Sequence, residues 1–454
     1  MDTFIIRGNR VLSGGAPKPA ALHIKDGKIS DVTGPAQVPP GAHIVEAGDL
    51  LVTPGIVDTH VHINEPGRTE WEGFKSATEA AAAGGITTVV DMPLNCIPAT
   101  TSRRAAELKR QSLADQLHVN VAFWGGVVPG NSAELAELAK FGVPGCKCFL
   151  CPSGVDEFPN VLKNDLEIAL PIMRDHGLTL LVHAELPGPL DRAEAEVTSE
   201  KADPRAYKTY LRSRPRQAED DAIAMIIELS RKYKAPVHIV HLSSASAIPM
   251  IARAQQEGVP ITAETCLHYL TFTAEEIGDG QTYYKCAPPI REKSNQDLLW
   301  QGLSQGSVGM VVSDHSPCTP QLKKPEQGDF LGAWGGIAGL QLGLSGLWTQ
   351  ASARGHSLEQ MFQWNAVATS KLAGLTGRKG MLAAGHDADV VIWDDRASFT
   401  VEAPWIRHRH KITPYAGRTL QGVVHQTFVG GSLAYDTSSG LTARPVGRFV
   451  EVHR

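Results

Sequence analysis

The feature that most constrains this chain is a repeat: a short apolar run rich in Val, Ile and Thr, then a helix-favouring stretch, then another such run. Eight runs stand at 55–63, 85–92, 118–127, 145–150, 178–185, 236–243, 259–268 and 308–313, with helical segments such as 77–83, 132–140 and 218–234 between them. Strand-like runs alternating with helices belong to the α/β class, and eight of them predict a closed (β/α)8 TIM barrel. An open doubly wound sheet is the alternative, but no GxGxxG follows the first run to favour it.

The flanks have another texture. Short β-prone runs at 4–6, 21–24 and 43–45 are separated by Lys25-Asp26-Gly27 and Pro39-Pro40-Gly41, and similar runs return at 388–393 and 422–429 before Gly430-Gly431. The two ends therefore predict one small β-sandwich domain, residues 1–52 with 383–454, around an inserted barrel at 53–382.

Charge and cysteine content narrow the partners. With 43 Lys+Arg against 48 Asp+Glu the net charge is -5, which demands no nucleic-acid face. No stretch reaches the roughly 18 apolar residues of a membrane span, and Met1 to Gly8 lacks the basic region and apolar run of a secretory leader. Seven cysteines, an odd number, point to a reducing compartment, so the expected location is cytoplasmic, away from membranes. Cys146, Cys148 and Cys151 form a CxCxxC, but no second pair completes four ligands, and packing is their expected role.

Chemistry collects at the C-terminal ends of the runs. Side chains alternate along a strand, so Asp58, His60 and His62 share one face. Lys147 stands in the fourth run, His183 in the fifth, His241 in the sixth and Asp314 just after the eighth. That end of a barrel is where active sites are built, so these residues are better explained jointly than singly. His238 and His241 are three apart and cannot face the same side, and His241 is nearer the strand's C-terminal end. One interval is long: 58 residues separate His183 from His241, and the polar, proline-containing segment 198–216 is expected to be a solvated excursion over the barrel, with a substrate lid as the alternative.

Histidine nitrogens and carboxylate oxygens suit divalent ions, and a pair of ions can hold a bridging hydroxide while polarising a carbonyl. A buried lysine opposes such a centre unless it is neutral and modified. As a carbamate, Lys147 would change from a cation into a bridging carboxylate.

Several segments together resemble the metal-dependent cyclic amidohydrolases: 54–62 (PGIVDTHVH), 65–68 (EPGR), 71–73 (WEG), 84–88 (GGITT), 92–95 (MPLN), 145–149 (GCKCF), 285–291 (KCAPPIR), 313–318 (SDHSPC) and 333–339 (AWGGIAG). The resemblance runs essentially end to end. It implies that His60, His62, carboxylated Lys147 and Asp314 surround one ion and that Lys147, His183 and His241 hold another. Zinc is the expected metal, with cobalt, manganese or iron as alternatives, and Asp314 is the implied proton shuttle. It also implies a homotetramer.

Within the family the ring is chosen by other residues. Dihydroorotases carry a carboxylate-binding arginine shortly after the HxH, where this chain has Asn64. Hydantoinases and dihydropyrimidinases typically place a tyrosine after the modified lysine, where this chain reads Phe149-Leu150-Cys151-Pro152, with Tyr207 and Tyr210 far along the chain. The missing guanidinium fits an uncharged ureido-hydantoin better than dihydroorotate, and the resemblance implies allantoin, opened to allantoate, with another cyclic amide as the alternative. Asn64, Asn95 and Ala287 are the expected substrate contacts. Cys286 and Cys318 are expected to line the pocket at most. A non-catalytic assembly protein on the same scaffold is a further alternative, but such relatives lose metal ligands and all six positions are filled here.

Overall fold

The computed structural model describes residues 3–452; Met1 and Asp2, the start of the stretch read for a leader, lie outside them. All eight expected runs form strands: Ile56–Val61, Ile86–Asp91, Asn120–Phe123, Gly145–Phe149, Thr179–His183, Val237–Ile239, Ile261–Cys266 and Met310–Val312. Strands one to three pair in parallel in sequence, and so do strands four to eight. The third run changes partner at Trp124: Asn120–Phe123 joins the second strand, while Gly125–Gly126 joins the fourth. Glycine is required at that switch, because a Cβ on Gly125 would sit 2.8 Å from Cys146 Sγ. Val61 bridges His315 in parallel and the His62 N–H donates to His315 O at 2.8 Å, so the last strand returns to the first and the barrel closes.

Helices cover the strands. The first, Phe74–Ala83, buries Phe74, Ala77, Ala81 and their neighbours along one stripe, as an outer barrel helix must. The long fifth unit holds the helices Pro187–Ser199, Tyr207–Ser213 and Arg216–Tyr233. Here the expected solvated excursion is corrected. Tyr207, Thr209, Tyr210 and Ser213 are buried, and the tyrosine hydroxyls donate to Ile290 O at 2.7 Å and Cys286 O at 2.6 Å. The short helix lays Tyr207 and Tyr210, three apart, onto the barrel mouth and leaves Lys208 and Arg212 to solvent.

Both chain ends share one eight-stranded sheet. The N-terminal strands Phe4–Val11, Lys18–Lys25, Lys28–Thr33 and Ile44–Pro54 meet Val390–Thr400, Thr419–Val429, Ser432–Asp436 and Gly440–Leu441 where Val391 pairs antiparallel with Thr53. Asp26 and Gly27 both take left-handed backbone in the tight turn between the second and third strands, as the Asp-Gly signal requires. Phe4 and Phe428 lie three strand positions apart in the sheet, about 14 Å if it were flat. Their ring centroids are 6.0 Å apart. The sheet therefore curls over its own apolar core, which is separate from that of the barrel. Among the described residues no helix is long and apolar enough to cross a membrane.

Candidate active site

At the C-terminal ends of the strands, His60, His62, Lys147, His183, His241 and Asp314 line one cavity of about 280 Å³. All six are buried, none more than 6% exposed. Alternation turns His60 and His62 inward together, with ring centroids 5.5 Å apart. The same alternation sends Cys146 and Cys148 to the face opposite Lys147, and all the cysteines are buried and outside any disulfide. His241 and Asp314 stand just beyond their strands in left-handed backbone, φ 38° and 45°, and Asn95 on the same wall has φ 72°. His, Asp and Asn tolerate that region better than other residues, and here it swings each side chain into the mouth as the strand ends.

The donor atoms fall into two groups. Asp314 Oδ1 lies 3.2 Å from His60 Nε2 and 3.7 Å from His62 Nε2. His183 Nδ1 lies 3.0 Å from His241 Nε2. Burial holds His62 and His241 well below the usual imidazole range and brings His183 to about 4, so these rings are neutral with lone pairs available. Lys147 Nζ has no hydrogen-bond partner among the described residues.

A ring of buried acids orients the histidines. Glu264 accepts from His60 Nδ1 at 2.5 Å and from His238 Nε2 at 3.0 Å, while His238 Nδ1 meets Thr262 Oγ1 at 2.8 Å. Both nitrogens of His238 are thus committed away from the cavity. Glu185 Oε2 accepts from His183 Nε2 at 2.8 Å and from Arg214 Nη2, and its Oε1 accepts from Arg214 Nε at 3.1 Å. Burial pushes Glu185 up, but Arg214 and His183 outweigh it and the carboxyl falls to about 2. A carboxylate on Nε2–H leaves His183 Nδ1 as the free donor.

This architecture has relatives. The sequence pattern described as the Amidohydrolase family matches residues 51–434. An allantoinase of Streptomyces avermitilis is 48% identical over 98% of each chain, and one of Saccharomyces cerevisiae is 42% identical over 99% of this chain and 98% of its own. Among solved structures, an L-hydantoinase (dihydropyrimidinase) from Arthrobacter aurescens superposes with a TM-score of 0.94 at 28% identity, covering 99% of this chain and all of that one. The chain belongs to the amidohydrolase family. The resemblance carried by its motifs therefore holds, and it is a hydrolase of carbon–nitrogen bonds in cyclic amides.

The cavity of this amidohydrolase fits a divalent metal centre on its own geometry. Bonds of about 2.0–2.2 Å to a tetrahedral ion put ligand atoms roughly 3.3–3.6 Å apart, close to the 3.2 and 3.7 Å found among His60, His62 and Asp314. The neutral rings and the unpartnered Lys147 amine complete a donor set that has little other use in a buried pocket. Replacing Glu264 or Glu185 by Gln, which weakens the hold on His60 or His183, is expected to lower metal affinity about 10–100-fold. Competition with a chelator measures this, and unchanged affinity in both variants would exclude the orienting role.

Of the expected substrate contacts, Asn95 and Ala287 line the cavity and Asn64 does not. Asn64 is drawn back by its own N–H to Glu72 O at 3.2 Å and is fully buried behind the wall, its amide reaching Pro317 O at 3.5 Å. Cys286 lines the cavity and Cys318 is buried outside its lining. Sequence reasoning missed Tyr210, Arg214, Lys285 and Trp334, all on the wall, and the orienting acids Glu185 and Glu264. Glu185 carried a signal, an acid two residues beyond His183 in the same run.

The loop from Lys285 to Arg291 shows how Ala287 is presented. Side chains of Tyr210, Tyr269, Ser243 and Tyr207 donate to the carbonyls of Cys286, Pro288, Pro289 and Ile290. Among the described residues no hydrogen bond reaches the carbonyl of Ala287, which leaves it as an acceptor on the cavity wall.

Proposed function

We propose that this amidohydrolase is an allantoinase, hydrolysing the hydantoin ring of allantoin to allantoate. The carrying observation is the near-complete match, end to end, to proteins named allantoinase. The wall supports it. Asn64 supplies no carboxylate clamp, and Tyr210, the tyrosine that reaches the cavity, has its hydroxyl committed to Cys286 O at 2.6 Å rather than free for an oxyanion.

His60, His62, Lys147 and Asp314 would hold one ion and Lys147, His183 and His241 a second, zinc being the reading for both and Lys147 being carboxylated. When bound, such a centre supplies Lewis acidity toward the ring carbonyl and a hydroxide nucleophile near neutral pH. Asp314 takes the nucleophile's proton and returns it to the ring nitrogen as the carbon–nitrogen bond breaks, so the leaving group departs as a neutral amide nitrogen. Burial raises the Asp314 carboxyl above its ordinary range, which favours its holding that proton between the two transfers. Ala287 O and the Asn95 amide orient the ring, and the buried wall limits water around it. All these groups sit in the barrel, which we delimit at 53–382. Assembly as a homotetramer and a cytoplasmic location complete the reading, the latter supported by seven cysteines of which none is in a disulfide.

The test is competition. Purified protein loaded with zinc is offered allantoin beside dihydrouracil, hydantoin and dihydroorotate, and each product is quantified. Allantoate is expected to dominate; preferential opening of dihydrouracil or of unsubstituted hydantoin would replace this reading by that of a hydantoinase.

A further inference from the structure

Two lysines beside the cavity, Lys285 and Lys323, are buried, and among the described residues neither pairs with a carboxylate. Their ammonium groups are spent on backbone carbonyls instead. Lys285 Nζ donates to Leu331 O at 2.9 Å and Ala333 O at 2.6 Å. Lys323 Nζ donates to Lys285 O at 3.1 Å, to Trp334 O at 3.0 Å and to Gly336 O. Gly336 N–H also donates to Lys285 O at 2.9 Å. Two segments are laced in this way, 285–287 and 331–336, and together they form one side of the cavity.

A buried cation without an acid is costly, so its presence calls for something that it holds. Five carbonyl dipoles converge on these two nitrogens. Lys323 uses all three of its N–H bonds, the full capacity of a protonated lysine. A neutral amine has two, and its hydrogen bonds are weaker, so loss of the proton frees one carbonyl and loosens the rest.

We propose that Lys285 and Lys323 are positioning residues for substrate binding: their ammonium groups hold the Ala287 and Trp334 segments at the separation that a ring substrate needs, and substrate affinity falls as they lose their protons. The substrate named in the test rests on the allantoinase reading; the clamp itself does not.

The surroundings agree. Burial, with the charges of Lys323 and Arg214, brings Lys285 down to about 7, and Asp329 and Lys324 also face it. The ring of Tyr210 lies 5.0 Å from its Nζ. Burial brings Lys323 down to about 8, opposed by Cys318 and Cys286. Burial pushes the Tyr210, Cys286 and Cys318 groups up, and Arg214 stays charged, so the lysines are the groups here that change between weakly acid and weakly alkaline pH. Each clamp is intact below its value and weakens as pH rises through it.

The experiment follows KM and kcat for allantoin with zinc-loaded wild type, Lys285→Met and Lys323→Met, with hydrogen-exchange protection of the 331–337 segment measured without substrate. In wild type KM is expected to rise about tenfold between about pH 6 and pH 9, the step expected when charge-assisted bonds become neutral ones. Protection of 331–337 should fall over the same range. Lys323→Met should show the high KM and low protection at every pH, with wild-type metal content. A flat wild-type KM, or wild-type protection in Lys323→Met, overturns the proposal. If Lys323→Met does not fold, the wild-type profiles and Lys285→Met decide. Failure of wild type to open allantoin at any pH rejects the substrate reading, and the exchange measurement then judges the clamp alone.

Discussion

Replacing Lys147 by alanine is expected to cut turnover at least about a thousandfold, a barrier increase of about 4 kcal/mol, and added formate, acetate or propionate is expected to restore part of it. The reason is charge. Four histidines and one aspartate bring a single carboxylate to two divalent ions, and an ammonium among them would add repulsion. Burial brings the Lys147 amine down to about 8, so a substantial share of it is neutral and nucleophilic near physiological pH. Attack on carbon dioxide forms an N–C bond, releases one proton and leaves a carboxylate where a cation would stand. Among the described residues no hydrogen bond occupies the Nζ, which lines the cavity 4.9 Å from the Phe149 ring centroid. Truncation to alanine opens space in which a short acid can take the carbamate's place. Metal content and kcat measured with and without acid decide the matter: full activity in the variant without any acid would remove the modified lysine from the reading.

Asp314→Asn is expected to lower kcat by about 10²–10⁴, the range of a lost acid–base group, with the fold unchanged. The substitution keeps shape but removes the carboxylate's negative charge together with its ability to take a proton, so metal content is measured beside kcat. One contact and one backbone feature hold Asp314 where a proton can be passed. Ser316 Oγ donates to its Oδ1 at 3.0 Å, and the left-handed backbone aims it at His60 and His62. Burial raises its carboxyl, opposed by the neighbouring His60 and Ser316. As pH falls through that raised value the wild type should lose activity because the acceptor is already protonated. Turnover like that of the wild type in the asparagine variant, at normal metal content, would end the shuttle assignment.

Much of this was legible along the chain because strand periodicity is local. The inward pair His60 and His62 follows from alternation alone, and so does the separation of Lys147 from Cys146 and Cys148. His238 and His241 were separable on the same ground, and the structure gives each nitrogen of His238 a partner outside the cavity. Asn64 was read as a contact from its place shortly after the HxH, but the strand ends at Val61 and the backbone beyond it turns toward Glu72, which carries the side chain behind the wall.

The segment 198–216 misled for a different reason. Its composition is polar, and composition says nothing about two tyrosines finding acceptors across the mouth. Tyr210 and Cys286 are 76 positions apart, and the bond between them depends on the paths of two loops that carry no periodic signal. The same holds for Lys285 and Lys323, whose partners are carbonyls, groups that every residue has and no sequence pattern marks.

The sequence by itself therefore determined the strand count, the closed parallel barrel, the sheet shared by both ends, the membership of the family and the set of chemically competent groups gathered at one barrel end. These depend on period and on residue type. Tertiary structure alone decided which acids orient the histidines, which tyrosine, arginine and lysines wall the cavity, and that Asn64 stands behind it rather than in it. Those outcomes come from contacts between residues distant along the chain, which form only after the strands have fixed where each loop begins and ends.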